Sequence, residues 1–259
     1  FALQREQLGT ADALLSAEEY LKNDDRFVVV YGDLTLQPEP LKELIKIVNS
    51  GYDGGIIGIK HPESARFGVL SIKNGILEEI IEKPESPPST ALVNSGIYVL
   101  PKEVLDVAKR ITKSIRGEYE LTDAVTKLVR KGRRIAVHVV KGDWWFDVGR
   151  PSDLLAANLR HLRESYIDQE AVVSGEAVIE SSVIMRGAIV KRRSTIKSSL
   201  VLENATIDSN ASLNYCIVAE DSEVGHDACL LGELSSPIVV GPRVKVPPFT
   251  KAYPSTIFQ

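Results

Sequence analysis

Residues 171–230 read AVVSGEAVIESSVIMRGAIVKRRSTIKSSLVLENATIDSNASLNYCIVAEDSEVGHDACL. They contain eleven triplets, each made of a small residue, any residue and an aliphatic residue. Successive small residues follow at intervals of five or six, so the pattern returns every 17 residues, as at Ala177, Ser194, Ala211 and Ala228. In a three-sided parallel β-helix, one aliphatic residue per side fills the interior and a small residue fits beside each corner. The stretch therefore predicts a left-handed parallel β-helix built from hexapeptide-like repeats.

The end of this repeat predicts a cap. The phase breaks at 232–237, and VKVPPFTKAY (244–253) is interpreted as an irregular segment that closes the coil. Cys216 occupies a small-residue position, which favours a structural role. Flat aliphatic sides pack readily on a second copy, so we expect a homo-oligomer, a dimer or a trimer, formed through the β-helix.

The residues before the repeat predict a different architecture. Residues 10–21 have helical apolar spacing and 27–31 form an apolar run, which indicates a helix leading into a buried strand. Asn74-Gly75 between two apolar runs predicts an antiparallel hairpin. Because helices alternate with buried strands, we expect a mixed, mostly parallel Rossmann-like α/β sheet. We assign this domain to 1–163 and the β-helix domain with its cap to 164–259.

Composition excludes several classes of partner. A net charge of −4 and a pI near 5.7 leave no broad basic surface for nucleic acid or for an anionic membrane. No apolar run approaches the roughly 18 residues of a membrane span, and FALQREQLGT lacks the features of a signal peptide. We therefore expect a cytoplasmic protein. Two cysteines are too few for a disulfide framework or a zinc cluster.

Five short motifs in the first domain carry the candidate chemistry. They are LQREQLGTADA (3–13), VVVYGD (28–33), IIEKP (80–84), NSGIYVL (94–100) and WWFDVG (144–149). Asp33 follows an apolar strand, which places it at the edge of the sheet where ligands bind in open α/β folds. Asp147 lies in a strand-to-turn segment, and two such carboxylates can together coordinate one magnesium ion. Each alone can equally be a turn residue or a helix cap.

Two other residue types have both a functional and a structural interpretation. Lys83 offers a compact positive charge suited to a phosphate, or is an exposed lysine paired with Glu79 or Glu85. Trp144 and Trp145 can wall a sugar pocket, but adjacent residues of a strand face opposite sides, so packing explains at least one of them.

In their order, the motifs resemble those of the sugar-phosphate nucleotidylyltransferases, closest to archaeal and bacterial enzymes of the glucose-1-phosphate thymidylyl/uridylyltransferase type. The resemblance covers residues 1–160, and a β-helix tail occurs in several branches of that family. It implies that Gln4 reads the base edge and that the backbone near Gly9 and Thr10 closes on the base. An amide can both donate to and accept from a pyrimidine.

The resemblance also implies the remaining site residues. Asp33 and Asp147 match magnesium ligands, and Asp33 also belongs to the nucleotide site. Lys83 matches the lysine that meets the sugar phosphate. The residues that match the sugar-binding positions are Gly68, Glu82 and Asn94. Asp33, Lys83 and Asp147 are thus the expected catalytic residues. The segment GEYELTDAV (117–125) is family-like, but its role stays open between the site and ordinary loop charges.

The implied reaction is attack by a sugar 1-phosphate oxygen on the α-phosphorus of a nucleoside triphosphate, which gives a nucleoside diphosphate sugar and pyrophosphate. UTP or dTTP is favoured, and the sugar is not identified by the sequence. Both reactants are polyanions, so positioning and charge neutralisation by Mg²⁺ and Lys83 are expected to carry the catalysis.

One feature of the family is missing from these residues. Family members begin with a strand and a G-x-G-T-R-L loop that wraps the triphosphate, whereas Phe1 corresponds to a point inside the first domain. A fragment, a split protein whose partner supplies the N-terminal half and a degenerate subunit all fit this observation. We expect a fragment or a split product, with a sheet that is incomplete at its N-terminus and an activity that needs the missing segment.

Two other functions stay open. A non-catalytic or regulatory subunit keeps the fold without turnover, although Gln4, Asp33, Glu82, Lys83 and Asp147 are all retained. An acyltransferase is the third hypothesis, because left-handed β-helices often carry that activity. It requires a histidine base, and His226 is the only histidine in the repeat. We rank acyl transfer well below nucleotidyl transfer.

Overall fold

The computed structural model describes residues 1–35, 37–142 and 145–259. The chain packs into two compact units, Phe1–Phe146 and Asp147–Gln259. None of the helices in the described ranges combines the length and apolar character that a membrane span requires.

The helices of the first unit cover both faces of its sheet. They are α1 (Thr10–Ser16), α2 (Glu18–Leu21), α3 (Pro38–Asn49), α4 (Glu103–Ala108) and α5 (Leu121–Arg130), with a short 3₁₀ turn at Ser64–Arg66. Ile56 packs in the core beneath α1, α4 and α5, whereas the adjacent Ile57 packs with Leu44 and Val48 of α3. The single helix expected over 10–21 is divided at Ala17, where the backbone leaves the helical region.

The strands of the first unit form one six-stranded sheet. They are β1 (Arg26–Val30), β3 (Gly54–Lys60), β4 (Gly68–Lys73), β5 (Ile76–Glu82), β6 (Leu92–Pro101) and β7 (Ile135–Val140), in the order β1-β6-β3-β7-β5-β4. The short strands β2 (Leu34–Thr35) and β8 (Phe146–Asp147) lie outside this sheet. Strand β1 is an edge strand, so Val28 and Val30 are 43% and 40% exposed where a buried strand was expected.

The mixed α/β class is confirmed, but the expected predominance of parallel pairs in this sheet is corrected. Among the described pairings only β3–β7 is parallel, while β1–β6, β3–β6, β4–β5, β4–β6 and β5–β7 are antiparallel. The register shows that β1, β3 and β7 do share one direction. Strand β6 runs the other way and is inserted between β1 and β3, which sequence alternation does not reveal. The β4–β5 hairpin turns at Asn74 and Gly75, both with positive φ, as predicted.

Three parallel sheets form the second unit, and their strands recur as the triplets predict. The first face contains β9 (Tyr166–Ile167), β12 (Val183–Ile184), β15 (Leu200–Val201), β18 (Cys216–Val218), β21 (Ile238–Val240) and β24 (Ile257–Phe258). The second contains β10 (Val172–Val173), β13 (Ile189–Val190), β16 (Thr206–Ile207), β19 (Glu223–Val224) and β22 (Lys245–Val246). The third contains β11 (Val178–Glu180), β14 (Thr195–Lys197), β17 (Ser212–Asn214), β20 (Cys229–Leu231) and β23 (Lys251–Ala252).

The interior of the left-handed β-helix is the predicted one. Ile196 pairs with Leu213 and Leu213 with Leu230, each step spanning 17 residues, and all three side chains are at most 1% exposed. Several corner residues adopt left-handed backbone angles, including Asn204, Asn210, Asp221 and Asp227. Asn and Asp tolerate that region better than most side chains. The coil therefore needs few glycines at its corners.

The interpretation of the C-terminal residues as an irregular cap is wrong. Cys216 pairs with Ile238 and Glu223 with Lys245, 22 residues apart instead of 17, because five extra residues are accommodated near 232–237. Beyond this insertion β22, β23 and β24 continue all three faces. The ladder can restart because each strand needs only its neighbour in the preceding coil.

Helix α6 (Pro151–His161) belongs to the second unit by its packing. Leu155 is fully buried in a cluster with Val183, Leu200 and Ile217 of the first face. The boundary expected at residues 163 and 164 follows the change from helix to strand. Packing instead divides the units between Phe146 and Asp147, because α6 covers the apolar face of the β-helix.

Candidate functional site

An open groove of about 930 Å³ runs along α1 and β1 in the first unit. Gln4 and Thr10 line it, and so does Asp33, which lies in the turn that follows β1. These residues come from motifs 3–13 and 28–33, which the sequence analysis assigned to the nucleotide. The fold therefore brings the proposed base-reading amide and one proposed metal ligand to the same groove.

A smaller cavity of about 260 Å³, lined by Gln4, Gly9, Thr10 and Glu118 among others, adjoins the same segment. Gln4 Nε2 donates to Asp12 Oδ2 at 2.8 Å and to the carbonyl oxygen of Gly9 at 3.3 Å. Both N–H groups of the amide are therefore engaged within the protein, and its Oε1 atom is the one left for a ligand. This differs from the expected amide that both donates and accepts.

The loop at Gly9 and Thr10 is held by residues 118–121. Tyr119 N donates to Leu8 O at 2.8 Å, Ala11 N donates to Tyr119 O at 2.9 Å, and Leu121 N donates to Thr10 Oγ1 at 2.9 Å. A Cβ atom on Gly9 would lie 2.6 Å from the Tyr119 carbonyl oxygen, so a glycine is required there. The segment GEYEL, whose role the sequence left open, therefore at least holds the loop at Gly9 and Thr10 in place.

The proposed sugar-binding residues lie together at one end of the β4–β5 hairpin. Gly68 pairs directly with Glu82, and a Cβ atom on Gly68 would be 3.0 Å from Glu82 Oε2. Asn94 follows Val93, which pairs with Val69. The structure therefore assembles Gly68, Glu82 and Asn94 from three separate strands.

The carboxylate of Glu82 belongs to an electrostatic cluster that sequence reasoning missed. Arg116 lies 3.7 Å from Glu82, 3.8 Å from Glu118 and 3.2 Å from Glu120. Burial, followed by the nearby negative charge of Glu120, raises the pKa of Glu82, while Lys83, Thr122 and Arg116 oppose that rise. One guanidinium thus partly neutralises three acids. The sequence signal that could have indicated this cluster is R-G-E-Y-E at 116–120, in which charged residues stand at alternate positions.

A tyrosine pair, of which Tyr98 is fully buried and Tyr31 partly buried, connects the two parts of the candidate site. Asn94 Nδ2 donates to Tyr98 Oη at 2.5 Å, and the hydroxyl oxygens of Tyr98 and Tyr31 are 3.4 Å apart. Burial raises the pKa of Tyr31 to about 12, opposed by hydrogen bonds with the side chains of Tyr98 and Thr10. Tyr31 therefore contacts Thr10 on one side and, on the other, Tyr98, to which Asn94 donates. Both tyrosines were visible in the motifs, but their pairing was not.

Lys83 is exposed and lies in an unusual backbone conformation with φ of 43°. Its N–H donates to Phe67 O at 3.1 Å, which fixes the end of the hairpin. Glu79, a proposed structural partner, instead pairs with Arg130 at 3.2 Å. In the described part of the chain the Lys83 ammonium has no ion-pair partner within 4.0 Å, so its charge is available to an anionic ligand.

Asp33 fits a magnesium site by its chemistry. Its carboxylate is exposed to the groove, and hard oxygen ligands suit Mg²⁺. Asp147 ends β8 and is the first residue of the second unit. Across the described residues no cluster of three or more His, Cys, Asp or Glu side chains forms a metal cage. Mg²⁺ does not require one, because it commonly binds one or two carboxylates together with water and substrate phosphates.

Trp145 is a packing residue. It is 4% exposed, donates from Nε1 to Ser95 O at 2.8 Å, and packs edge-on against Phe67 with ring centroids 5.4 Å apart. Trp144 lies outside the described residues.

His226 in the β-helix has a partner of its own. Its Nδ1 atom lies 2.8 Å from Asp227 Oδ2, and its ring packs edge-on against Phe249 with centroids 4.9 Å apart. The imidazole is 44% exposed at a corner of the coil. These contacts account for its position without a substrate.

Comparisons with known proteins find matches for both parts of the chain. A family model described as nucleotidyl transferase matches residues 1–164, and one described as the GMPPB C-terminal domain matches residues 162–257. The chain is 35% identical over 182 residues to the low-salt glycan biosynthesis nucleotidyltransferase Agl11 of Haloferax volcanii, covering 70% of this chain and 50% of Agl11.

Two further relatives have similar coverage. Identity is 35% over 187 residues with the bifunctional protein GlmU of Methanocaldococcus jannaschii, covering 70% of this chain and 43% of that protein. It is 40% over 151 residues with a bifunctional sugar-1-phosphate nucleotidylyltransferase/acetyltransferase of Sulfurisphaera tokodaii, covering 58% and 35%. The matches thus span half or less of these curated relatives. By its motifs, its fold and these matches, the chain belongs to the nucleotidyl transferase family, and within it to the sugar-phosphate nucleotidylyltransferases.

Proposed function

We propose that this chain binds a nucleoside triphosphate and a sugar 1-phosphate for transfer of the nucleotidyl group to the sugar phosphate. The observation that carries the proposal is the single groove lined by Gln4, Thr10 and Asp33. It combines a base-reading amide, a tight backbone loop and a carboxylate for a cation. The names of the relatives, which include sugar-1-phosphate nucleotidylyltransferase, support the same class of reaction.

The proposed reaction forms one P–O bond and breaks another. An oxygen of the sugar 1-phosphate attacks the α-phosphorus of the triphosphate, and pyrophosphate leaves. Mg²⁺, with Asp33 as its ligand in the first unit in this proposal, would supply charge neutralisation. Lys83 would hold the sugar phosphate. Glu82 would accept hydrogen bonds from the sugar hydroxyl groups, and Asn94 would donate hydrogen bonds to them. Arg116, beside Glu82, would add a second positive charge on that side.

Uridine or thymidine triphosphate is the proposed nucleotide. Gln4 offers an acceptor oxygen, which suits the ring N–H of uracil or thymine. Turnover is proposed to need, in addition, a glycine-rich phosphate loop of the family type, which these 259 residues do not contain. Binding of the substrates to this chain is therefore the more direct test.

Isothermal titration calorimetry with UTP or dTTP, with and without Mg²⁺, tests the proposal. We expect saturable binding that strengthens when Mg²⁺ is added. The D33N variant should lose most of the magnesium enhancement, while D24N, which removes an exposed carboxylate near β1, should not. A sugar 1-phosphate titrated into the nucleotide complex should bind, and K83A should weaken that step. Absence of any nucleotide binding would refute the proposal.

The same titrations separate this function from that of a non-catalytic subunit. A subunit without a working site is expected to bind neither nucleotide nor sugar phosphate in a magnesium-dependent manner.

We also propose self-association through the β-helix, since Val172, Val178 and Ile189 leave 63%, 45% and 39% of their surface exposed. Light scattering of the intact chain and of V172D measures that association.

A further inference from the structure

We propose that Asp12 sets the base preference of the nucleotide site by fixing the orientation of the Gln4 amide. The inference rests on the proposed function, because it assumes that Gln4 meets the base. It assigns a positioning role to a residue that the sequence motifs left without one.

The contact that carries the proposal is the hydrogen bond from Gln4 Nε2 to Asp12 Oδ2 at 2.8 Å. Its acceptor is a carboxylate, so the bond is charge-assisted and stronger than one between neutral groups. The same nitrogen lies 3.3 Å from the carbonyl oxygen of Gly9. Two acceptors therefore surround the nitrogen end of the amide.

The reverse orientation of the amide is excluded by the same neighbours. Rotation by half a turn would place Gln4 Oε1 against the Asp12 carboxylate and the Gly9 carbonyl oxygen. Three acceptors without a proton between them repel one another. Asp12 therefore keeps Oε1 on the side that is free for a ligand.

The frame that holds Asp12 is itself fixed. Asp12 lies in the first turn of α1, and α1 is anchored where Ala11 N donates to Tyr119 O at 2.9 Å. Thr10 accepts a hydrogen bond from Leu121 N at 2.9 Å. The carboxylate is thus positioned by backbone contacts on both sides, whereas Gln4 precedes the helix and depends on Asp12 for its orientation.

With its orientation fixed, the acceptor Gln4 Oε1 distinguishes bases by whether their ring nitrogen carries a proton. Uracil and thymine present a ring N–H on the Watson–Crick edge, as guanine does, whereas cytosine and adenine present a lone pair at the corresponding nitrogen. A freely rotating glutamine can match either pattern by turning its amide. A glutamine locked by Asp12 accepts from the N–H bases and repels the others.

The test is the ratio of dissociation constants for CTP and UTP, measured by calorimetry with Mg²⁺ on the intact chain. We expect the unmodified protein to prefer UTP by about tenfold or more, which is the effect of one well-placed hydrogen bond. In D12A the ratio should fall to about twofold or less, because the Gln4 amide can turn. In D12N the ratio should largely persist, because the amide oxygen of asparagine still accepts from Gln4.

Removing the Asp12 charge can also change the affinity for every triphosphate. The ratio cancels that common effect, and E6A, which removes a nearby exposed charge, controls for it. An unchanged ratio in D12A, with binding intact, would overturn the role of Asp12 and leave the proposed function standing. Failure of the unmodified protein to bind any nucleotide would overturn both.

A second measurement on the free protein needs no ligand. The side-chain amide of Gln4 should give a ¹⁵N-resolved pair of proton signals shifted from those of exposed glutamines, since one proton is bonded to a carboxylate. In D12A, but not in E6A, the signals should move to the positions of a freely rotating amide. Signals of Gln4 that already match exposed glutamines in the unmodified protein would contradict the lock.

Discussion

The two units of the chain differ in the reach of the contacts that hold them. In the β-helix, Leu213 meets Ile196 and Leu230, its equivalents one coil away. In the first unit, the hydrogen bond between Thr10 and Leu121 joins residues 111 positions apart, and Tyr31 meets Tyr98 across 67 positions. A repeat distributes stability evenly along the chain, whereas a site of converging side chains depends on a few distant contacts.

This difference explains where the candidate chemistry lies. In the described part of the β-helix, the best candidate, His226, is explained by its neighbours Asp227 and Phe249. The described residues of the first unit instead include a carboxylate whose pKa is raised, at Glu82, an ammonium with no ion-pair partner among them, at Lys83, and the Gln4 amide, which lines the groove. Long-range packing is what brings such groups together.

The largest expected effect concerns the interior of the coil. L213A removes a side chain that is 1% exposed, and it should destabilise the second unit by about 2–5 kcal/mol. S212A, on the outward side of the same strand, should change stability by less than about 0.5 kcal/mol. Urea denaturation followed by circular dichroism measures both. Equal effects from the two variants would contradict the assignment of interior and exterior positions.

The next effect concerns the long-range contact of the nucleotide loop. In G9A a Cβ atom would meet the backbone of Tyr119 at 2.6 Å, at a φ of 119°. We expect a loss of about 2 kcal/mol or more in the first unit, together with weaker nucleotide binding. G51A is the matched control, because its φ is 122° but nothing lies within 4 Å of the new atom. The difference between the two variants isolates the clash from the backbone strain.

A smaller effect should appear as a dependence of stability on pH. The pKa of Glu82 is raised in the folded state above its ordinary value of 4.5, so the folded protein holds this proton at higher pH than the unfolded chain. The stability that protonated Glu82 contributes is therefore fully present below about pH 4.5. It is lost as the pH rises from about 4.5 through the raised pKa of the folded state. E82Q should remove that part of the slope, while the exposed variant E85Q should retain it. Thermal unfolding between pH 4 and 8 measures the slopes.

The smallest effect is expected at Cys216. Its side chain fills the position held by Ser182 and Ser199 in preceding coils. The backbone N–H of Cys216 donates to Ser199 Oγ at 2.9 Å, which links the two coils. C216S should therefore change stability by less than about 1 kcal/mol. Burial raises the pKa of the Cys216 thiol to about 12, so alkylation at pH 8 should modify Cys229 first. Faster labelling at Cys216 would contradict its placement in the interior.

Sequence reasoning reached furthest in the β-helix because each interior residue depends on its own repeat. The pairing of Leu213 with Ile196 follows directly from the 17-residue period. The cap was misinterpreted because the five-residue insertion near 232–237 breaks the period without ending the ladder. A regular spacing in the sequence reveals only coils of equal length. The parallel strand pairing continues wherever the next strand lies beside the previous one, whatever the number of residues between them.

In the first unit the motifs provided the candidate site residues, but not the contacts among them. Gln4, Asp33 and Glu82 were chosen from local patterns and a family resemblance. Arg116 was missed because its three acidic partners include Glu82, which lies on a separate strand. The antiparallel insertion of β6 between β1 and β3 was missed because alternation of helices and strands fixes direction only for strands joined by crossovers.

Hydrogen–deuterium exchange with and without UTP and Mg²⁺ tests the central claim, that the groove of the first unit binds the nucleotide. We expect slower exchange of backbone amides in residues 4–13, 28–33 and 118–121, and unchanged exchange across the β-helix strands. Protection confined to the β-helix, or none in these three segments at saturating nucleotide, would contradict it.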